Sequence, residues 1–340
     1  MSTSSSSSSV PSRLPHGLAM VLVALTFPLI WVGGLVTTYD AGMAVPDWPT
    51  TYEHNMFLYP LKSWLSGPWD LFIEHGHRLL ASFVGFVTIG VVLVTWMYDE
   101  RKWVRWFSLS CLALVVIQGL LGGMRVLFDQ NLLARIHGCV GPLFFVAAVA
   151  LAAFTSTWWR DASAPTATHR YTRTATVTAA MAYLQLVLGA HLRHLSYNWP
   201  ASVFSVLVAA HLLVAVALLG HVLLMAWRVS TQSDLRSLQL VRRPTNVLAT
   251  LVLLQLILGA GVWRVKYNWP DWLPQPSSWQ GHIVTAEGTL QIVTVTAHVA
   301  IGSLILAMAV LVALRASRLL QGTEAAAAAD ISPLTLGVTR

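Results

Sequence analysis

Four histidines carry the first chemical signal in this sequence: His77, His137, His211 and His298. Each sits in the N-terminal half of a long apolar run or just before it, and the four runs are every second one along the chain. An ionisable side chain at the centre of a membrane helix costs about 2.5–3.5 kcal/mol on insertion scales, so it asks for a functional reason. For a lone histidine, packing or an interhelical hydrogen bond would be reason enough. Four in register, two in each half of the chain, point instead to metal or cofactor ligation. No neighbouring Cys or Asp/Glu cluster completes a tetrahedral zinc site. Paired histidines on facing helices are what six-coordinate heme iron in a helical bundle needs.

An acid and a set of cations accompany them. Glu74-His75-Gly76-His77-Arg78 opens the second apolar run, and Glu74 shares a helix face with His77 three residues on. A carboxylate there can orient a propionate, fix the histidine tautomer or do chemistry on the ring. The plainer account is an N-terminal acid favoured by the helix dipole. At the same offset before His137, His211 and His298 stand Ala134, Val208 and Val295. Only one half therefore joins two ligands to an acid, and chemistry is expected there, with electron transfer in the other. Arg78, Arg125, Arg135, Arg193, Arg264 and Lys266 gather at the same ends of the runs. Heme has two propionates, and an arginine fork matches a carboxylate; snorkelling to lipid phosphate is the plainer account of any one of them. His16, His54, His75, His169, His191, His194, His221 and His282 are accessory candidates at most.

The elements that must position these groups are legible from composition. Of 340 residues, 56% are hydrophobic and 10% charged, whereas soluble proteins run at about 25% charged. A helix needs about 20 apolar residues to cross a bilayer. Eight segments qualify: 17–36, 79–97, 106–124, 136–159, 174–192, 201–227, 245–263 and 288–314. Continuous rather than alternating apolarity indicates an all-α, polytopic membrane protein and not a barrel. Residues 1–16 form a Ser-rich tail expected to be disordered, and 316–340 a second tail. The first run is too long for a signal-peptide core and reads as a retained helix. With both termini cytoplasmic, Lys62, Arg78, Arg125, Arg135, Arg193, Arg264 and Lys266 fall outside and all other Lys and Arg inside. An inner cell membrane is expected. The net charge of +7 suits anionic lipid, and no soluble basic domain exists to bind nucleic acid. Cys111 and Cys139 lie in apolar runs, which argues against a disulfide framework.

The odd runs end alike, in IQGLLGG (117–123), LQLVLGA (184–190) and LQLILGA (254–260). A Gln four residues before a Gly recurs at Gln118/Gly122, Gln185/Gly189 and Gln255/Gly259, while the first run keeps only Gly33 and Gly34. Asp47-Trp48-Pro49, Asn198-Trp199-Pro200 and Asn268-Trp269-Pro270 echo one another in the loops. Duplication explains this better than chance use of interfacial Trp and Pro. Two duplicated four-helix bundles follow, over 17–159 and 174–315.

With EHGHR in the second span, RIHG (135–138) in the fourth, AAH (209–211) in the sixth and TAH (296–298) in the eighth, the chain resembles the heme A synthase family. Segment 37–52 (TTYDAGMAVPDWPTTY) is similar to that family's first extracytoplasmic loop. The resemblance covers about 17–315. It implies an oxidoreductase that takes the C8 methyl of heme O to the formyl group of heme A, for terminal oxidases. It implies that His77 and His137 bracket the substrate iron, that His211 and His298 ligate a heme B cofactor, and that Glu74 is the catalytic carboxylate. Heme O synthase and oxidase assembly factors are the implied partners, and an oligomer is compatible with the sequence. Many relatives carry a cysteine pair in the first outer loop; residues 37–71 here have none, which puts a thiol–disulfide relay in doubt. The chief rival is a diheme b-type cytochrome linked to quinol. A repeat-built transporter would require broken helices and a midplane polar site, and the spans here are intact.

Overall fold

Each of the eight apolar stretches forms one long helix in the computed structural model, which describes residues 12–161, 169–195, 199–233, 235, 238–267 and 288–320. The spanning helices are α1 (Leu14–Thr38), α2 (Trp69–Tyr98), α3 (Lys102–Phe128), α4 (Asn131–Thr155), α5 (His169–Arg193), α6 (Ala201–Thr231), α7 (Gln239–Tyr267) and α8 (Thr289–Leu320). All are long and apolar enough to cross a membrane. Strand among the described residues is confined to one tight hairpin, β1 (Thr50–Thr51) with β2 (His54–Asn55), in the loop between α1 and α2.

The helices close two rings. In the first, α1 packs on α2 and α4, and α3 packs on the same two; α5 to α8 repeat this order. The rings meet where α1 and α4 touch α8, and α4 touches α5. Each ring has its own core on the far side of its histidines. Leu22, Val84, Val91, Cys111 and Leu151 fill the first, and Leu218, Val222, Met225, Leu248 and Leu306 the second. The buried hydroxyls of Thr26, Thr88 and Thr245 each donate to the carbonyl four residues back. Their own helix thus satisfies them inside the apolar layer.

Most helix ends lie several residues from the hydropathy limits, the following three among them. Helix α2 begins at Trp69 rather than Leu79. Asp70, Glu74, His75, His77 and Arg78 end the apolar run, yet Pro68 caps a helix through them because most of these polar side chains find protein partners (below). Glu74 therefore lies inside α2 and not at its opening. Helix α4 stops at Thr155, where Ser156 turns extended, and Trp158 and Trp159 belong to a separate short turn. Helix α8 runs on to Leu320, past the expected 314. The Ser-rich tail, Asn198, the Asn268-Trp269-Pro270 motif, His282 and the tail beyond Leu320 lie outside the described residues.

Candidate functional site

Every one of the four histidine rings is seated on a glycine of the preceding helix. A Cβ added at Gly33 would stand 2.9 Å from Cε1 of His77. The corresponding distances are 3.3 Å for Gly122 and His137, 3.3 Å for Gly189 and His211, and 3.2 Å for Gly259 and His298. Real Cβ atoms rarely come so close, so these positions need glycine to let the imidazole approach the helix backbone.

The recurring glutamine completes the seat. Nε2 of Gln185 lies 3.0 Å from Nε2 of His211. Nε2 of Gln255 lies 3.4 Å from Nε2 of His298 and donates to the His298 carbonyl at 2.9 Å. With its amide turned to place nitrogen toward the ring, Gln118 donates to Nδ1 of His137 at 3.0 Å and to the His137 carbonyl at 3.2 Å, and accepts from the Gly141 N–H at 3.2 Å. One turn of helix thus supplies two functions: Gly admits the ring and Gln, four residues earlier, holds it.

All four histidines line one cavity of about 610 Å³ that reaches both rings of helices. Ligand pockets generally span about 300–1,000 Å³. The His211 and His298 ring centroids are 6.5 Å apart at an interplanar angle of 58°. Two metal–nitrogen bonds of about 2 Å each, plus the reach from nitrogen to ring centre, fill such a gap. Nδ1 of His77, His211 and His298 is buried without a hydrogen-bond partner. A buried nitrogen left unpaired costs about 1–3 kcal/mol, and three of them around one cavity are what a bound group would satisfy. Among the described residues no group of three or more His, Cys, Asp or Glu could hold a metal ion unaided. The donor set fits a pairwise-ligated metal whose remaining ligands come from a macrocycle.

Glu74 also lines the cavity, and both its oxygens are engaged. Oε1 accepts from the Arg78 guanidinium at 2.8 Å, and Oε2 from the Val45 N–H at 2.8 Å. Arg78 uses its other donors on the carbonyls of Val45, Asp47 and Thr50, at 2.7, 2.7 and 3.1 Å. This pair latches the α1–α2 loop over the mouth of the first ring. The latched loop is itself tied up: the Asp47 carboxylate accepts from the N–H groups of Tyr52 and Glu53, 2.8 Å each, where both residues adopt positive φ. Burial raises the Asp47 pKa, but its hydrogen bonds, from Thr50 and the Glu53 and Tyr52 amides, bring it below the usual value. Trp48 packs its indole on Gly123, beside the Gly122 seat of His137.

The cations divide. Arg125 and Arg193 line the cavity with Arg78. Arg125 donates to the Gly42 carbonyl, and Arg193 to the Gly34 carbonyl and Thr38 hydroxyl. A guanidinium has five N–H donors, so both keep some for a ligand. Arg135 has a buried Nε without a partner. Arg135, Arg264 and Lys266 are not among the described lining residues.

Two groups are undervalued by sequence. His194, just past the end of α5, lines the cavity next to Arg193; only its place beside the loop could have suggested this. The Gln118, Gln185 and Gln255 series is visible as a repeat, but spacing alone does not say which side chain on another helix it meets. His75, by contrast, is a buried anchor. It pairs with the Thr51 hydroxyl at 3.0 Å and packs against Tyr59 and Trp64.

Residues 68–202 match a family model described as cytochrome oxidase assembly protein. That stretch includes Glu74, His77, Arg78, Arg125, Arg135, His137 and Arg193. A heme A synthase from Shouchella clausii is 25% identical over 252 residues, covering 72% of this chain and 75% of the relative. One from Listeria monocytogenes is 29% identical over 129 residues, 36% of this chain and 39% of its own. One from Staphylococcus haemolyticus is 22% identical over 134 residues, 38% of this chain and 40% of its own. The chain is a multi-pass membrane protein similar to heme A synthases.

Proposed function

We propose that this relative of the heme A synthases is itself one: a membrane oxidoreductase that converts the C8 methyl of heme O to the formyl group of heme A. The observation that carries the proposal is the lopsided cavity. Four glycine-seated histidines line it, yet among the described residues Glu74 stands beside only the first pair. An electron carrier has no use for that asymmetry, and a porphyrin-modifying enzyme does.

On this reading His77 and His137 hold the iron of the substrate, heme O, in the first ring of helices. His211 and His298 hold a resident heme B in the second, where it supplies one-electron transfer. Gly122, Gly189 and Gly259 admit the rings, and the three glutamines fix their rotation. Arg125 and Arg193, which line the cavity, have N–H groups to offer propionates. Glu74 is fixed by Arg78 and the Val45 N–H, so its negative charge is preorganised. Two electron pairs would leave the methyl group in two successive steps, with water or dioxygen supplying the oxygen, and Glu74 stabilises the positive charge that develops at the ring edge. The loop closed by Arg78 excludes water above it. Insertion in the inner cell membrane with both termini cytoplasmic, the two halves as products of duplication, and partnership with heme O synthase and oxidase assembly factors belong to the same proposal.

The test is pigment extraction after co-expression with a source of heme O. Heme A, or heme O hydroxylated at the methyl, is the expected product. Heme B alone would make the protein a diheme cytochrome instead.

A further inference from the structure

The glutamine repeat is broken at one place. Counting four residues back from each glycine seat gives Gln118 for His137, Gln185 for His211, Gln255 for His298, and Leu29 for His77. Leu29 faces the same cavity but has no donor or acceptor to offer. The consequence is visible at the ring. The other three imidazoles each have a glutamine amide within 3.0–3.4 Å of one ring nitrogen; His77 has no such amide among the described residues, and its Nδ1 is buried and unpartnered, as are those of His211 and His298. Arg78, next in sequence, is spent on Glu74 and the loop carbonyls.

From this we infer that His77 is the exchangeable ligand of the first pair, and that the Gln-to-Leu difference at position 29 makes it so. The inference rests on the proposed function, since it assumes an iron shared by His77 and His137. Three rings have both a glycine seat and an amide before any metal arrives; His77 has the Gly33 seat and no amide. Its release strands no second partner, so its cost is that of the metal bond only. A reaction needing an open position on the substrate iron would open it on the His77 side, beside Glu74. The same looseness lets substrate enter and product leave past one ring while His137 keeps its place. In the second ring both histidines carry an amide, as suits a cofactor that stays.

The experiment uses the full-length, heme-loaded protein, reduced and mixed with carbon monoxide while its optical spectrum is followed. In the unmodified protein one heme is expected to take up carbon monoxide and the other to stay six-coordinate. Leu29→Gln should slow that uptake about fivefold, the weight of one neutral hydrogen bond, and Leu29→Met should not. Gln185→Leu should open the second heme to the gas, and this remains readable if Leu29→Gln does not accumulate. Uptake unaltered by Leu29→Gln at unchanged heme content, or a second heme still closed in Gln185→Leu, would overturn the inference while leaving the proposed function standing. Absence of any six-coordinate heme in the first ring would overturn both.

Discussion

Arg193, at the end of α5, donates to the Gly34 carbonyl at 2.8 Å and the Thr38 hydroxyl at 2.7 Å, both on α1. Gly34 is the neighbour of Gly33, on which His77 rests. One guanidinium thus ties the second ring of helices to the seat of a ligand in the first. Thr38 extends the tie by its hydroxyl contact with Thr296 of α8, two residues before His298.

Arg193→Ala is therefore expected to loosen the two rings together. Charged hydrogen bonds contribute about 1.5–3 kcal/mol each, and the Gly34 carbonyl would keep only the Thr38 hydroxyl as a side-chain donor. Thermal unfolding in detergent should show a lower midpoint, and the heme content of both halves should fall. A loss restricted to the second half would mean that Arg193 serves a propionate and not the interface.

Glu74→Gln separates latch from chemistry. The amide can still accept from the Val45 N–H but gives up the ion pair with Arg78. Heme should remain bound while heme A and its hydroxylated precursor disappear from the extract. Limited proteolysis of the loop around β1 and β2 measures the latch separately. Faster cleavage with normal heme A output would confine Glu74 to holding the loop.

The glycine seats make a sharper prediction. Gly189→Ala and Gly259→Ala place a methyl 3.3 and 3.2 Å from the His211 and His298 rings. Each ring has to move by a few tenths of an ångström against its glutamine. The second-half heme should be bound more weakly or turn high-spin, with the first half unchanged. Gly17→Ala and Gly220→Ala, where an added Cβ meets nothing and the residue does not line the cavity, should be silent in the same spectra.

Much of this is legible in the sequence, for identifiable reasons. Membrane helices must satisfy their backbone internally, so continuous apolar runs report them directly. Period and register carry the histidines, because four imidazoles at one depth in alternate helices are costly to insert unless they bind something. The Glu74–Arg78 ion pair is also within reach, being four residues apart on one helix. Hydropathy obscures it by ending the apolar run at Leu79, past both residues. The partners of the glutamines lie on other helices, at separations of 26 residues for Gln185 and 43 for Gln255. Spacing specifies a face of a helix and not what that face meets. Arg193 reads as a propionate ligand for the same reason: its chemistry is clear in the sequence and its bonds to α1 are not.

The end of the molecule away from the histidines supplies the last prediction, on pH. Asp99, between α2 and α3, is buried and holds Arg101 through contacts of 2.9 and 2.7 Å and Arg160 at 3.1 Å. Arg101 in turn caps the Phe154 carbonyl at 2.8 Å, so α2, α3 and α4 are joined at one carboxylate. Burial raises the Asp99 pKa, but the hydrogen bonds and charges of Arg101 and Arg160 outweigh it and bring it below the usual 3.8. A folded-state pKa below the unfolded value means that the unfolded chain binds the proton first as pH falls. The stabilisation is thus fully present above about pH 5 and is lost as pH drops through the folded pKa. Asp99→Asn should lower the unfolding midpoint at pH 7, by an amount on the order of 3 kcal/mol for a buried pair broken on one side. The gap between variant and parent should close progressively below about pH 4. A gap that stays constant down to about pH 3 would show that packing, and not the ionised carboxylate, holds the three helices there.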